Sequence, residues 1–282
     1  MNYFNYNGKI LNENELIIGP QNRGLRYGDG IFETMKYKHG NIILMQDHFE
    51  RLWYGLKLLQ FEIPKLFTPH ILEEEIIKTI NKNKLKTARV RLTIIRDTGG
   101  IYDAKNNFPN YIIETFGLQE ENGQLNANGL QLCFFENAKK SIDIFSNIKH
   151  NNFLPYFMGA MYTKKMHCND AIILNTAGNI CDTTIANIFY IKNNTIYTPA
   201  LTQGCVSGVM RKWLIKKLEQ QKFIVNECCI SKSDLLNADE IFLTNSIYNI
   251  KWVDSIENNT YKDSKTRQIV NELIRTESEI YC

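Results

Sequence analysis

Apolar and polar positions trade places along this chain in two rhythms. Residues 1–11 set short aromatic and aliphatic runs on either side of Asn7-Gly8, which predicts a hairpin. The stretch IFETMKYKHGNIILM repeats the pattern around His39-Gly40. The period then lengthens. Leu52, Leu56 and Leu59 fall at helical spacing, and Ile71, Ile76, Ile77 and Ile80 predict a second helix over about 70–82. ARVRLTIIRD and NYIIETFGL read as strands flanking a turn at Gly99-Gly100. Gln119 to Gly129 is polar or small except for one leucine and reads as a linker. Beyond it come a strand (LQLCFFE), a helix over about 153–167, a strand (AIILN) and a hairpin over about 180–198 turning at Asn193-Asn194. A glycine turn then feeds an amphipathic helix, strands FIVNECCI and EIFLTNS follow, and a helix over about 263–276 comes last. The pattern predicts two α/β domains, about 1–118 and 130–282. So many hairpins argue against a doubly wound parallel sheet, which alternates strand and helix throughout.

Composition narrows the function classes. The 282 residues are 44% hydrophobic, ample for a packed core, and the formal net charge is only +3. A balance this close to neutral, with no basic block, gives no case for nucleic acid. The opening MNYFNYNGKILNENEL lacks a basic region followed by an apolar run, so no signal peptide is expected; no apolar stretch is long enough to predict a membrane span. Seven cysteines without a CxxC or a zinc-like Cys/His spacing are expected to be reduced thiols in a cytoplasmic protein, with no metal site.

Four stretches carry candidate chemistry. In LTQGCVSGVMRKWL, Gly204, Ser207 and Gly208 lie just ahead of a helix. Such a turn offers free backbone N–H groups and the positive end of a helix dipole to an anion. It is neither a phosphate-binding GxxxxGK[ST] loop nor GxGxxG, and a plain helix entry capped by Ser207 is the simpler alternative. In SNIKHNNFLPYFMG, Lys149 follows what reads as the end of a short strand, with Asn151 or Asn152 placed to cap the helix behind it. A lysine directed inward there suits a nucleophilic amine, and a solvated lysine is the alternative. In GNICDTTIANIFYI, Asp182 sits among apolar and β-branched residues in the first strand of a hairpin; facing inward it needs a cationic or hydrogen-bonding partner. RGLRYGDGIFETMK reads as a glycine turn feeding a strand, and MQDHFERL as a helix start with His48 and Arg51 on adjacent turns.

Taken in order, RYGDGIFET, HFERL, the lysine before the N-x-F-L-P-Y helix, DTTIANIF, GVMR and FLTNS resemble the class IV aminotransferase family, the fold-type IV pyridoxal-phosphate enzymes. That family includes branched-chain and D-amino-acid aminotransferases and aminodeoxychorismate lyases. The six motifs together span nearly the whole chain. The resemblance implies a mixed α/β, two-domain fold, with a smaller N-terminal α/β sandwich and a larger barrel-like C-terminal domain. It implies that Lys149 holds pyridoxal 5'-phosphate as a Schiff base and that Asp182 pairs with the pyridine nitrogen. By the same resemblance, Arg51 reaches the cofactor phosphate; Ser207, Gly208, Val209 and Met210 form the phosphate turn, and Thr244 and Asn245 a second loop beside it. Tyr27, Phe32 and Tyr156 are expected as walls of the substrate pocket. A homodimer acting on a small amino substrate is also implied.

Two departures bear on the reaction. The family usually carries glutamate where this chain has the shorter Asp182. The turn QGCVSGVMR resembles the form found in some aminodeoxychorismate lyases more than the L-P-G-I-T-R of many transaminases, and RDTGGIYDAKNN lacks the basic pair of D-amino-acid enzymes. The expectation therefore leans toward an aminodeoxychorismate lyase, with an amino-acid transaminase as the alternative. A non-catalytic relative and a nucleotide-binding protein are the rivals from other classes.

Overall fold

A computed structural model describes residues 2–119 and 123–274. It divides into two compact units. The first comprises residues 2–119 together with Ile148–Asn152; the second comprises Gly123–Asn147 and residues 153–274.

In the first unit the chain forms β1 (Tyr3–Tyr6), β2 (Lys9–Asn12), α1 (Arg23–Tyr27), β3 (Gly30–Lys38), β4 (Asn41–Ile42), α2 (Met45–Leu58), α3 (Pro69–Lys82), β5 (Ala88–Ile95) and β6 (Asn110–Gly117). The strands make one antiparallel sheet in the order β2-β1-β6-β5-β3-β4. Alternate residues supply its inner face: Ile31 and Met35 from β3; Val90, Leu92 and Ile94 from β5; Ile113 from β6. Against them pack Phe49, Leu52 and Leu56 of α2 and Leu72, Ile76 and Ile80 of α3, both sets at helical spacing. Ile148 belongs to the same core, although it lies far along the sequence.

The second unit runs β7 (Leu130–Lys140), α4 (Leu154–Met166), β8 (Asp170–Asn175), β9 (Ile180–Thr183), β10 (Asn187–Lys192), β11 (Thr195–Pro199), α5 (Val209–Gln220), β12 (Val225–Cys228), α6 (Lys232–Leu236), β13 (Glu240–Asn245), β14 (Asn249–Ile256), β15 (Asn259–Thr260) and α7 (Ser264–Ile269), which passes into a π-helical turn over Val270–Ile274. Its mixed sheet has the order β12-β11-β10-β13-β14-β7-β8-β9, with β15 on β14. Both faces are covered, so β8 is buried at every position. One face carries Leu132, Phe134, Ile172 and Leu174; Cys133, Phe135, Ala171 and Ile173 face the other way, where Tyr156 of α4 joins them.

Several local expectations need correction. Asp182 is in a hairpin with β8, pairing at Ile173↔Asp182, and not with β10; the Asn193-Asn194 turn belongs to β10 and β11 alone. Neither Asn151 nor Asn152 caps α4: Phe153 holds that position without a side-chain bond, and Pro155 lies in the helix's first turn. Lys149 does not end a strand of its own. Four elements escaped the hydrophobic pattern: α1, with no buried residue; α6, a short turn fixed by a Ser231–Asp234 capping box; β14, whose polar residues break the apolar rhythm; and β15, two exposed residues paired with β14. Of the expected linker, residues 120–122 lie outside the described residues. Asn126 is pinned to β14 by three hydrogen bonds with Trp252, so that end is part of the second unit. Residues 275 and 276 of the expected last helix also lie outside the described residues.

Candidate active site

In the first unit, Lys149 lies on a segment held against β3. Its carbonyl accepts from Phe32 N (2.9 Å), His150 bridges to Ile31, and Asn151 N donates to Gly30 O (2.9 Å). The side chain is half-buried, with Nζ 4.6 Å from the centre of the Phe32 ring. Arg91 also faces that ring, at 3.9 Å. Gly30 is required for this contact, because a Cβ there would sit 2.2 Å from Ile94 O and 2.6 Å from Asn151 Nδ2.

Arg51 lies on α2, one turn before Gly55, the residue on which Ile148 packs. Glu33 of β3 grips Arg51 at two atoms, Nε at 2.8 Å and Nη2 at 2.6 Å, while His48 Nδ1 is 2.6 Å from the same carboxylate. Burial alone would raise the Glu33 carboxyl, but the charge on Arg51 and the His48 hydrogen bond outweigh it and hold it at about 2. His48 is pushed below its ordinary value by burial, against the pull of Glu33. A neutral ring facing an ionised carboxylate must donate from Nδ1, which leaves Nε2 as a buried acceptor without a partner. Tyr27 is 44% exposed at the end of α1, under the Arg23 guanidinium.

The second unit gathers most of the remaining candidates. Asp182 is 2% exposed, and its carboxylate accepts four hydrogen bonds. Oδ2 takes Tyr156 Oη (2.7 Å), Val206 N (3.0 Å) and Lys140 Nζ (3.2 Å); Oδ1 takes Asn187 Nδ2 (2.9 Å). Tyr156 therefore spends its hydroxyl on Asp182. Burial first, and then the aspartate's charge, raise that hydroxyl well above its ordinary value, so it stays a neutral donor. Burial likewise raises the neighbouring thiols of Cys181 and Cys205, the latter to about 12.

Asn187 connects this carboxylate to the glycine turn, since its Nδ2 also donates to Val206 O (2.8 Å). Gly208 lies so close that a Cβ would meet Asn187 Oδ1 at 1.9 Å. Gly208, not Ser207, is the N-cap of α5, and no side chain caps the helix. The Ser207 and Gly208 amides are used internally, on Asn147 O and Val206 O. The amides of Val209 and Met210 project from the first turn with no intrahelical acceptor. Across the β10–β13 ladder from Asn187 stands Thr244, whose hydroxyl is buried without a partner. Asn245 accepts from Ile247 N and Tyr248 N of its own turn, and its Nδ2 donates to Ile185 O (3.3 Å). Met210 is buried and offers only its amide.

Sequence reasoning gave no role to Glu33 or Asn187, and none to Lys140 beside Asp182. Glu33 and Asn187 lie inside the motifs already quoted. Nothing around Lys140 distinguishes it from its exposed neighbour Lys139.

The fold is that of the fold-type IV aminotransferases. The branched-chain aminotransferase of Thermoproteus uzoniensis, crystallised with norvaline, superposes with a TM-score of 0.86 at 21% identity, covering 97% of this chain and 94% of that one. The amino-transferase class IV model matches residues 30–256, so the chain belongs to that family. Among curated relatives, a putative branched-chain-amino-acid aminotransferase of Methanocaldococcus jannaschii is 25% identical over 95% of this chain and 92% of its own length. The aminodeoxychorismate lyase of Bacillus subtilis is 30% identical over 90% and 87%. The family's members are pyridoxal-phosphate enzymes acting on small amino substrates.

The second unit's donors suit that cofactor. First-turn amides and an unpartnered buried hydroxyl favour a phosphate, and a buried carboxylate suits an aromatic nitrogen. Among the described residues, no cluster of His, Cys, Asp or Glu suits a metal, and no helix is long and apolar enough to cross a membrane.

Proposed function

We propose that Lys149 holds pyridoxal phosphate covalently, that Arg51 and the amides of Val209 and Met210 bind its phosphate, and that Thr244 supplies a further hydrogen bond. Asp182 pairs with its ring nitrogen. The observation that carries this reading is the second unit's convergence of a buried carboxylate, a free helix start and an orphan threonine hydroxyl on one asparagine, Asn187. Bound there, the cofactor supplies an electron-withdrawing ring. The chain's own part is to fix the phosphate at several points, to keep a carboxylate by the ring nitrogen, and to move a proton. With the cofactor bound, the Lys149 amine would take the proton from the substrate's α-carbon and later return one.

The reaction we favour is aminodeoxychorismate lyase, releasing pyruvate and p-aminobenzoate. Support comes from the form of the turn Gln203 to Arg211 and from the stretch RDTGGIYDAKNN, which lacks the basic pair of D-amino-acid enzymes. The second reading, an amino-acid transaminase of the branched-chain or D-amino-acid type with a 2-oxo acid acceptor, is supported by the match to the Methanocaldococcus protein along nearly the whole chain. By analogy with the family, the working form is a cytoplasmic homodimer, and light scattering of the purified protein tests the stoichiometry.

Reduction with borohydride in the presence of pyridoxal phosphate is expected to label Lys149, and Lys149→Ala to abolish the label. A label on Lys139 or Lys140 instead would overturn the assignment. Release of p-aminobenzoate from aminodeoxychorismate, without brisk turnover of amino acid plus 2-oxoglutarate, supports the lyase; the reverse result supports the transaminase.

A further inference from the structure

Asp182 already has a cation. Lys140 stands at the end of β7, where the register against β8 slips between Phe135↔Ile173 and Lys140↔Asn175. A slip of this kind redirects side chains, and here it accompanies a lysine with only 5% of its surface exposed. Its Nζ lies 3.2 Å from Asp182 Oδ2 and 5.2 Å from the centre of the Tyr156 ring. The other groups at that carboxylate are neutral donors: the Tyr156 hydroxyl, the Asn187 amide and the Val206 N–H. Among the described residues, Lys140 is the cation paired with Asp182.

A carboxylate offers about four lone-pair positions. Oδ2 accepts three hydrogen bonds and Oδ1 accepts one, so the capacity that remains is on Oδ1. The charge is divided too. A lone buried carboxylate puts its full negative charge at the service of an aromatic nitrogen and its proton; one already paired with an ammonium group puts much less.

We propose that Lys140 is a positioning residue that shares Asp182 with the cofactor's ring nitrogen. It fixes which carboxylate oxygen faces the ring and weakens the hold on the ring proton. This rests on the pyridoxal-phosphate reading above and goes beyond it, because the resemblance assigns no role to position 140. Lys140 touches neither substrate nor reacting atoms; it acts through Asp182.

The test uses the whole protein loaded with pyridoxal phosphate labelled with 15N in the ring. Lys140→Gln removes the cation and keeps much of the length; Lys140→Arg keeps the charge. The ring-nitrogen NMR signal is read across a pH series in all three proteins, and borohydride labelling of Lys149 is scored in parallel. The expected result is an upfield shift in Lys140→Gln, toward the protonated ring, with Lys140→Arg close to wild type and Lys149 labelled in each. Identical ring signals in wild type and Lys140→Gln would overturn the sharing while leaving the cofactor assignment intact. So would a folded Lys140→Gln protein that no longer retains the cofactor, since Lys140 would then be a binding residue. If wild-type protein takes up no pyridoxal phosphate at Lys149, both proposals fall together.

Discussion

At Glu33, burial and charge act in opposite directions, and charge prevails. Its carboxyl ordinarily titrates at 4.5 and is held at about 2 in the folded chain. A depressed folded value means the stabilisation is complete above pH 4.5 and is lost as the pH falls toward 2. The difference corresponds to about 3 kcal/mol. In Glu33→Gln the largely buried Arg51 loses its ion pair with Glu33, which is expected to cost about 3 kcal/mol at pH 7. Urea midpoints of wild type and variant should therefore differ at pH 7 and converge near pH 2; parallel curves across that range would count against the trio. The same variant is expected to bind pyridoxal phosphate several-fold more weakly, measured by fluorescence titration, because Arg51 is no longer aimed. At this scale, the motifs named individual side chains but not their pairing. His48 and Arg51 appeared on adjacent turns, but that both converge on Glu33 depends on β3 lying beside α2. Lys140 illustrates the limit: in sequence it is one of a lysine pair, and only the strand slip makes it buried.

Between elements, two glycines set how closely backbone segments approach. Gly208→Ala would drive a methyl group into Asn187 Oδ1 and disturb the link between Asp182 and the start of α5. Overpacking of this kind costs about 1–3 kcal/mol. The expected result is a lower thermal midpoint together with loss of retained cofactor after dialysis; full retention would show that the turn tolerates displacement. Gly30→Ala acts in the first unit, where its methyl group would push Asn151 away from β3. Reduced borohydride labelling of Lys149 is expected there, with the second unit's hydrogen-exchange protection unchanged. The long helices were readable because Leu52 and Leu56, or Ile76 and Ile80, repeat at the helical period and pack on one core. β14 was not, because Asp254 stands where the alternation of Ile250, Trp252 and Ile256 would place an apolar residue, and the register shifts there. Its strand character comes from pairing with β13 and β7, neighbours that the local sequence does not name.

On the scale of the whole molecule, the consecutive-domain reading gives way to interleaving. The chain completes most of the first unit by residue 119, enters the second, returns for Ile148–Asn152, and then stays in the second. No composition shift marks that return, because five residues are too few to carry one. Ile148 is 2% exposed inside the first unit's core, so Ile148→Ala is expected to cost about 2–4 kcal/mol. The lost hydrogen-exchange protection should map to β3 and β5, more than 50 residues away in sequence; a loss confined to the flanks of residue 148 would contradict this. Saturating pyridoxal phosphate at about 1,000 times its dissociation constant is expected to add about 4 kcal/mol to unfolding stability. A calorimetric midpoint that ignores the cofactor would argue against tight binding.

The returning segment also orders events during synthesis. A ribosome adding about 5–20 residues per second exposes residue 119 a few seconds before residue 148. Throughout that interval the amino-terminal half has a vacant slot where Ile148 belongs and a β3 edge awaiting residues 149–151. Closure of that nascent core and the seating of residues 149–151 against β3 are thus one event, and a chain stopped before residue 148 achieves neither.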